Sequence, residues 1–383
     1  MTNLTPTIVS FVDSDGTLSF TVKNLNVSLA NALRRVILSD IPIYCFRTFP
    51  HEENKVNITT NTSRFNNEIL KQRIGCVPIH LKMNDPDFDD FDVKNYRVVL
   101  DVQNNSSSIM YVTTKDFKIV NVITGKELSD PMLRRIFPPN TITNYFILLC
   151  RLIPKMTQSH DGERVALTAE IGVGCARMDG MYNVVGTCSY RATPNIEAAA
   201  SIWKEREKKM VSDGVSPDEI AFEKKNWFNL EALRYVHQDQ YDFLIESVGV
   251  YSNTEILKKA ISILIEKFQK FIHDIENDTT DVKIMTSQTT LSNGYDLVIQ
   301  NEDYTLGCCI EYFIHKNQYI NEKNVSYCGF RKNHPHDTES VIRIGYHVPT
   351  PVDLVATNLI NAANHSIEAF QKLFSTVGLD CIE

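Results

Sequence analysis

The feature that most constrains this chain is an internal echo. The stretch Asn24-Leu25-Asn26-Val27-Ser28-Leu29-Ala30-Asn31-Ala32-Leu33-Arg34-Arg35 has a counterpart far downstream in Asn301-Glu302-Asp303-Tyr304-Thr305-Leu306-Gly307-Cys308-Cys309-Ile310. Each follows a short alternating strand (Phe20, Val22; Leu297, Ile299) and leads into an apolar helical run. Ser28 and Thr305 are the expected caps, since a hydroxyl there can accept from the unpaired N–H groups of the first turn. Leu29, Leu33, Val36 and Ile37 then make one face, matched by Leu306, Ile310, Phe313 and Ile314. Past the helix, Tyr44-Cys45-Phe46-Arg47 is paired in this reading with Tyr327-Cys328-Gly329-Phe330-Arg331. The chain reads as two copies of one strand–helix–strand unit, and like units can pair with each other.

The copies differ in continuity. A hairpin over 7–23 turns at Asp13-Ser14-Asp15-Gly16, a helix follows at 28–39, and a strand runs through Ile43–Phe49. Residues 50–195 change character, with short β-like runs (Arg97–Val102, Ser108–Thr113, Thr143–Leu152, Arg164–Val173, Met181–Arg191) between polar turns. Residues 196–239 are charged and helical in pattern, broken at Asp213-Gly214 and Ser216-Pro217. A strand at Tyr241–Val250 precedes a long helix, 254–276, whose Leu257, Ile261, Leu264, Phe268, Phe271 and Ile275 alternate four and three apart, a heptad seam. The second copy closes with a helix at 351–376 bearing Val355, Leu359, Ala363, Ile367, Phe370 and Phe374.

The expected organisation is therefore α+β, with two units of antiparallel sheet plus helices pairing within one chain. The first is split into 1–49 and 240–281 around an inserted β-rich domain at 50–195 and a charged helical connector at 196–239. The second, 282–383, is continuous. Leu29, Leu33, Leu257, Ile261, Leu264, Phe268, Phe271, Leu306, Ile310, Leu359, Ile367 and Phe370 are the candidate pairing residues. Neither unit can cover its own stripe alone, and each large apolar side chain is worth roughly 1.5–3 kcal/mol when buried.

Composition sets limits on function. Hydrophobic content of 43% with 22% charge describes an ordinary globular protein. A net charge of −8 argues against broad binding to a phosphate backbone, which needs a basic footprint. Nine cysteines (45, 76, 150, 175, 188, 308, 309, 328 and 381) are scattered, with no C-x-x-C pair, which suits reduced thiols in an intracellular compartment. The first residues carry no signal-peptide pattern, and the longest apolar run, Tyr145–Cys150, is too short for a membrane span. No membrane association is expected.

Two clusters invite chemistry. Asp87-Phe88-Asp89-Asp90-Phe91-Asp92 could hold a divalent metal for phosphoryl transfer. It lacks the glycine of a tight metal loop and any neighbouring phosphate cradle, so a solvated acidic loop is the simpler reading. Asn333-His334-Pro335-His336-Asp337 reads as a turn rather than a ligand set. Neither a metal nor another cofactor is expected. Arg34 and Arg35 sit about 100° apart on their helix and cannot reach one place.

Leu29-Ala30-Asn31-Ala32-Leu33-Arg34-Arg35 resembles the N-terminal motif of the RNA polymerase α-like assembly subunits: bacterial α, archaeal D, and the third subunit of eukaryotic polymerase II. Asn61-Thr62-Ser63, with Asn67-Glu68-Ile69-Leu70-Lys71-Gln72-Arg73-Ile74-Gly75-Cys76-Val77-Pro78-Ile79, resembles a second motif of archaeal and eukaryotic members; locally, Ser63 would cap and Gly75 would stop a helix. Asn301–Gly307, Val325–Phe330 and His334-Pro335 are similar to the small partner, archaeal L or the eleventh polymerase II subunit.

The resemblance implies a non-catalytic scaffold that joins the two largest polymerase subunits, with a small accessory subunit beside them and little or no direct DNA contact. It implies no homodimer, because pairing is satisfied within the chain. Asn31, Arg34, Arg35, Glu68 and Arg73 are the docking residues it points to. Such fusions occur in nucleocytoplasmic large DNA viruses, which would place the protein in the host cytoplasm and the virion. The loop Asn84–Asp92 has no cysteine where many eukaryotic third subunits carry a zinc loop, so no zinc is expected. Cys308-Cys309-Ile310-Glu311 departs from the partner's usual polar run. Two other readings stand beside this one: a nucleic-acid-binding transcription module, and a metal-dependent enzyme using Asp87–Asp92.

Overall fold

The computed structural model describes residues 5–83, 92–155 and 161–377. Along the chain, β1 (Thr7–Ser14), β2 (Thr17–Lys23) and α1 (Val27–Ser39) come first. Then follow β3 (Ile43–Cys45), β4 (Val56–Asn61), α2 (Asn67–Gly75), β5 (Tyr96–Gln103), β6 (Met110–Thr113), β7 (Lys118–Asn121), α3 (Asp130–Ile136), β8 (Leu148–Leu152), β9 (Arg164–Glu170) and β10 (Gly172–Gly174). β11 (Val185–Pro194), α4 (Ile196–Ser212), α5 (Pro217–Asn229), β12 (Val236–Ser247) and α6 (Asn253–Glu276) lead to the second copy. That copy comprises β13 (Val282–Thr286), β14 (Gly294–Gln300), α7 (Tyr304–Ile314), β15 (Val325–Arg331), β16 (Glu339–Tyr346) and α8 (Val352–Thr376).

Two compact units emerge. One gathers 1–37, 187–246 and 253–383; the other is 38–186 with 247–252. In the first, two four-stranded antiparallel sheets have the same order, β1-β2-β12-β11 and β13-β14-β16-β15. The match assigns every element of one copy to the other: β1 to β13, β2 to β14, α1 to α7, β11 to β15, β12 to β16 and α6 to α8. The copy is thus interrupted twice, between α1 and β11 and again between β11 and β12.

This topology corrects three sequence expectations. The counterpart of Tyr327–Arg331 is β11, not the segment at Tyr44–Arg47. β3 instead pairs with β10 in the other unit, Val173 opposite Tyr44. Gly174 permits the approach, because a Cβ there would sit 2.9 Å from Cys45 Sγ and 2.8 Å from the Tyr182 ring. The inserted domain accordingly takes in residues 38–49 and ends before most of β11. The connector also stops earlier than residue 239, since β12 begins at Val236 and continues the first sheet against β2.

The helix starts also differ from the expectation. Asn26 Oδ1 accepts from Ser28 N at 2.9 Å, and Asp303 Oδ1 accepts from Thr305 N at 2.8 Å, so the caps fall two residues before the hydroxyls. The reason is a shared turn: Asn24 and Asn301 both sit at φ +57°, a conformation asparagine tolerates, and it starts each helix early. Likewise Asn66, not Ser63, caps α2, while Asn61 holds Ser63 in a local turn.

The inserted unit carries a sheet ordered β4-β9-β5-β7 and a two-stranded β6-β8 ribbon. Phe46, Phe117 and Phe137 meet in its core with ring centroids 5.1–6.2 Å apart. The run expected as a strand over 143–152 forms one only from Leu148, and α3 takes a place where no helix was expected. α4 and α5 fold back on each other around buried Trp203 and Trp227. Of the acidic run, only Asp92 is described, capping Lys94 N; Asp87–Phe91 lie outside the described residues.

Candidate subunit interface

The pairing core is built from two long amphipathic helices. On α6, Leu257, Ile261, Leu264, Phe268 and Phe271 are buried; on α8, Leu359, Ile367 and Phe370 are buried. The two helices pack together, and the Phe268 and Phe370 rings stack with centroids 6.2 Å apart and planes 21° apart. Leu29 and Leu33 on α1, and Leu306 and Ile310 on α7, are buried as well. Phe374, expected on the α8 stripe, is 40% exposed because it falls in the helix's last turn, where the chain leaves the seam. α7 also presses on β15: a Cβ at Gly307 would lie 2.2 Å from the Phe330 ring, so a side chain at this position has no room.

Polar contacts tie the copies together at one turn. Arg35 Nε donates to Thr305 Oγ1 at 2.9 Å and its Nη2 to Asp303 Oδ2 at 2.8 Å. Lys267 Nζ donates to Glu302 Oε1 at 3.1 Å. Both cations come from the first copy and both acids from the second. The expected role of Arg35 as a docking residue changes accordingly: its guanidinium is engaged inside the chain, on the side of α1 facing α7's first turn. Sequence reading missed Lys267, Glu302 and Asp303, although their signal was present. The first copy has Leu25 and Asn26 where the second has Glu302 and Asp303.

Arg34 points elsewhere, as the helical angle demands. It donates to Asn31 Oδ1 at 3.1 and 2.9 Å, so the two form one half-buried polar patch a turn long. The patch lies near Cys188 on β11, whose thiol burial pushes up to about 12 while Arg34 pulls it back. In the second copy the matching positions are Cys308 and Glu311, and burial raises both of their pKa values.

In the inserted unit, Glu68 is exposed and lines a cleft of about 630 Å³ with Phe49, His51, Ile69, Lys71, Asp179 and Met181. Phe49 stands 70% exposed at its edge. Arg73 is differently occupied from the docking role expected of it. Its Nε donates to Leu149 O at 2.8 Å and its Nη2 to Leu148 O, and its guanidinium lies over the Phe65 ring, so it fastens α2 to β8. Among the described residues no group of three His, Cys, Asp or Glu side chains could hold a metal ion. No helix among them is long and apolar enough to cross a membrane.

Fold and contacts together define a chain in which two copies of one sheet-and-helix unit pack on each other through α6 and α8. The chain belongs to the RNA polymerase Rpb3/Rpb11 dimerisation domain family, which matches it twice, over residues 19–268 and again over 295–373. The long first match contains the insertions found between α1 and β12. Human DNA-directed RNA polymerases I and III subunit RPAC1 is 24% identical over 298 residues, taking in 68% of this chain and 82% of the human protein. DNA-directed RNA polymerase subunit Rpo3 of Pyrococcus horikoshii is 23% identical over 281 residues, 69% of this chain and 95% of the archaeal one. The Saccharomyces cerevisiae RPAC1 is 22% identical over 284 residues, 65% and 81% of the two chains. By their names these relatives are subunits of DNA-directed RNA polymerases.

Proposed function

We propose that this chain is the non-catalytic assembly subunit of a multisubunit DNA-directed RNA polymerase and joins its two largest subunits. The observation that carries this reading is the packing of one dimerisation-domain copy on the other inside a single chain, centred on Phe268 and Phe370. Where a polymerase of this type would use two separate subunits, this one uses a fusion, and no homodimer is needed. Asn31 and Arg34 on α1, and separately Glu68 at the cleft of the inserted unit, are the residues offered to the large subunits. A rigid guanidinium fork suits such a contact. A small accessory subunit completes the partner set, and the chain itself touches little or no DNA. The scatter of free cysteines supports a reducing compartment. The fused arrangement supports a viral polymerase working in the host cytoplasm and carried in the virion.

Affinity purification of the tagged chain from its native source tests the reading. Two very large polymerase subunits should accompany it in equal amounts, with RNA-synthesising activity in the same fraction. An active polymerase that leaves the chain behind would refute the proposal.

A further inference from the structure

The two copies share a fold, so a first copy could in principle pair with another first copy, and a second with another second. We propose that the Lys267–Glu302 and Arg35–Asp303 ion pairs are a pairing code that admits only a first copy against a second. In a like pair each of these residues would meet the wrong neighbour.

The repeat sets the correspondence. Glu302 and Asp303 match Leu25 and Asn26, and Arg35 matches Tyr312. Buried Ile256, Leu257, Ala260 and Phe268 of α6 recur at the same spacing as buried Asn358, Leu359, Ala362 and Phe370 of α8, so Phe268 and Phe370 occupy equivalent places in the two copies. The residue before each is Lys267 in one copy and Ala369 in the other. In a pair of first copies, Lys267 would therefore face Leu25 and Arg35 would face Asn26. Leu25 is fully buried, so a lysine set against it would lose water with no acid in return. In a pair of second copies, Glu302 would face Ala369 and Asp303 would face Tyr312, leaving two acids without a cation.

Only the mixed pair answers both charges. There Lys267 and Glu302 are about four-fifths removed from solvent, so their attraction is weakly screened. At the matching positions of the two copies Leu25, Asn26, Ala369 and Tyr312 carry no charge. Tyr312 lies near Asp239, whose backbone carbonyl accepts from Leu25 N at 3.0 Å. The Arg35–Asp303 and Lys267–Glu302 ion pairs have no counterpart among these four residues, and this is what makes the two orders distinguishable.

The test uses the full chain. Lys267→Glu sets two acids together and Glu302→Lys sets two cations together. Each should lower the folding equilibrium constant at least about ten-fold, and the double variant carrying both should recover to within about three-fold of the parent. A double variant no better than the worse single variant, or single variants that melt like the parent, would overturn the code. A second arm reads specificity directly. The two single variants, one isotope-labelled, are unfolded, mixed and refolded together, and two-chain species are counted by native mass spectrometry. A reciprocal exchange restores both ion pairs, so unlike-chain dimers should exceed like-chain dimers about ten-fold. Equal amounts of the two, or no dimers, would refute it.

Discussion

Phe268 and Phe370 stack on each other at the centre of the α6–α8 seam, both with no exposed surface. Removing either ring leaves a cavity that helix backbones cannot close. Phe268→Ala should cost about 3–5 kcal/mol in chemical denaturation. Phe268→Asp should cost more, because a carboxylate would be buried without a partner, and soluble monomer should be lost. Melting of the alanine variant within a degree of the parent would show that the seam does not hold the two copies together.

Gly307 makes a sharper packing prediction. The Phe330 ring occupies the space a side chain would need, while the matching position in α1 is Ala30. Gly307→Ala should destabilise by about 1–3 kcal/mol despite alanine's better helix propensity. Thermal melts of this variant and of Gly307→Ala with Phe330→Leu separate the causes: the smaller ring-free partner should recover part of the loss.

A cross-strand pair sets a pH dependence. Asp296 on β14 lies opposite Arg343 on β16, whose Nε and Nη2 donate to its oxygens at 2.6 and 2.7 Å. These bonds hold the Asp296 carboxyl below its ordinary value of 3.8. The folded chain therefore prefers the ionised form. The pair's contribution is complete above that ordinary value and is lost as pH falls through the depressed one. Asp296→Asn should cost up to about 1 kcal/mol near neutrality. Its melting curve should converge with the parent's as pH is lowered from about 5 to about 2. A gap that stays constant over this range would contradict the assignment.

Much of this was legible in the sequence because it rests on periodicity. The heptad spacing of Leu257 through Phe271 and the repeated apolar faces of α1 and α7 depend only on which residues share a helix face. Strand partners are less visible, since the pairing of β3 with β10 depends on Gly174 letting the chains approach, a contact between residues far apart. The caps were misplaced for a local reason: Asn26 and Asp303 are as able to cap as Ser28 and Thr305, and the left-handed turn at Asn24 and Asn301 decides between them. Arg35 could not be separated from Arg34 without knowing where the second copy's Asp303 lies.

That separation changes how the docking surface is tested. Reversing both arginines would break the contact to Asp303 as well as any external one. Arg34→Glu alone leaves Arg35 in place and removes only the bonds to Asn31 within α1. It should shift stability by less than about 1 kcal/mol. Loss of a desolvated charge contact should weaken assembly with the large subunits by about 2–5 kcal/mol. Co-expression with those subunits gives the readout, as the ratio of assembled complex to free folded chain. Full assembly by the variant would remove Arg34 from the interface.

The central claim is that one chain does the work of a pair, and stoichiometry tests it most directly. Native mass spectrometry of the intact polymerase should find a single 43.7 kDa copy of this chain for each pair of large subunits, with no second dimerisation-domain subunit present. Two copies per complex, or one copy beside a separate small partner, would show that the halves do not complete each other and would contradict the account.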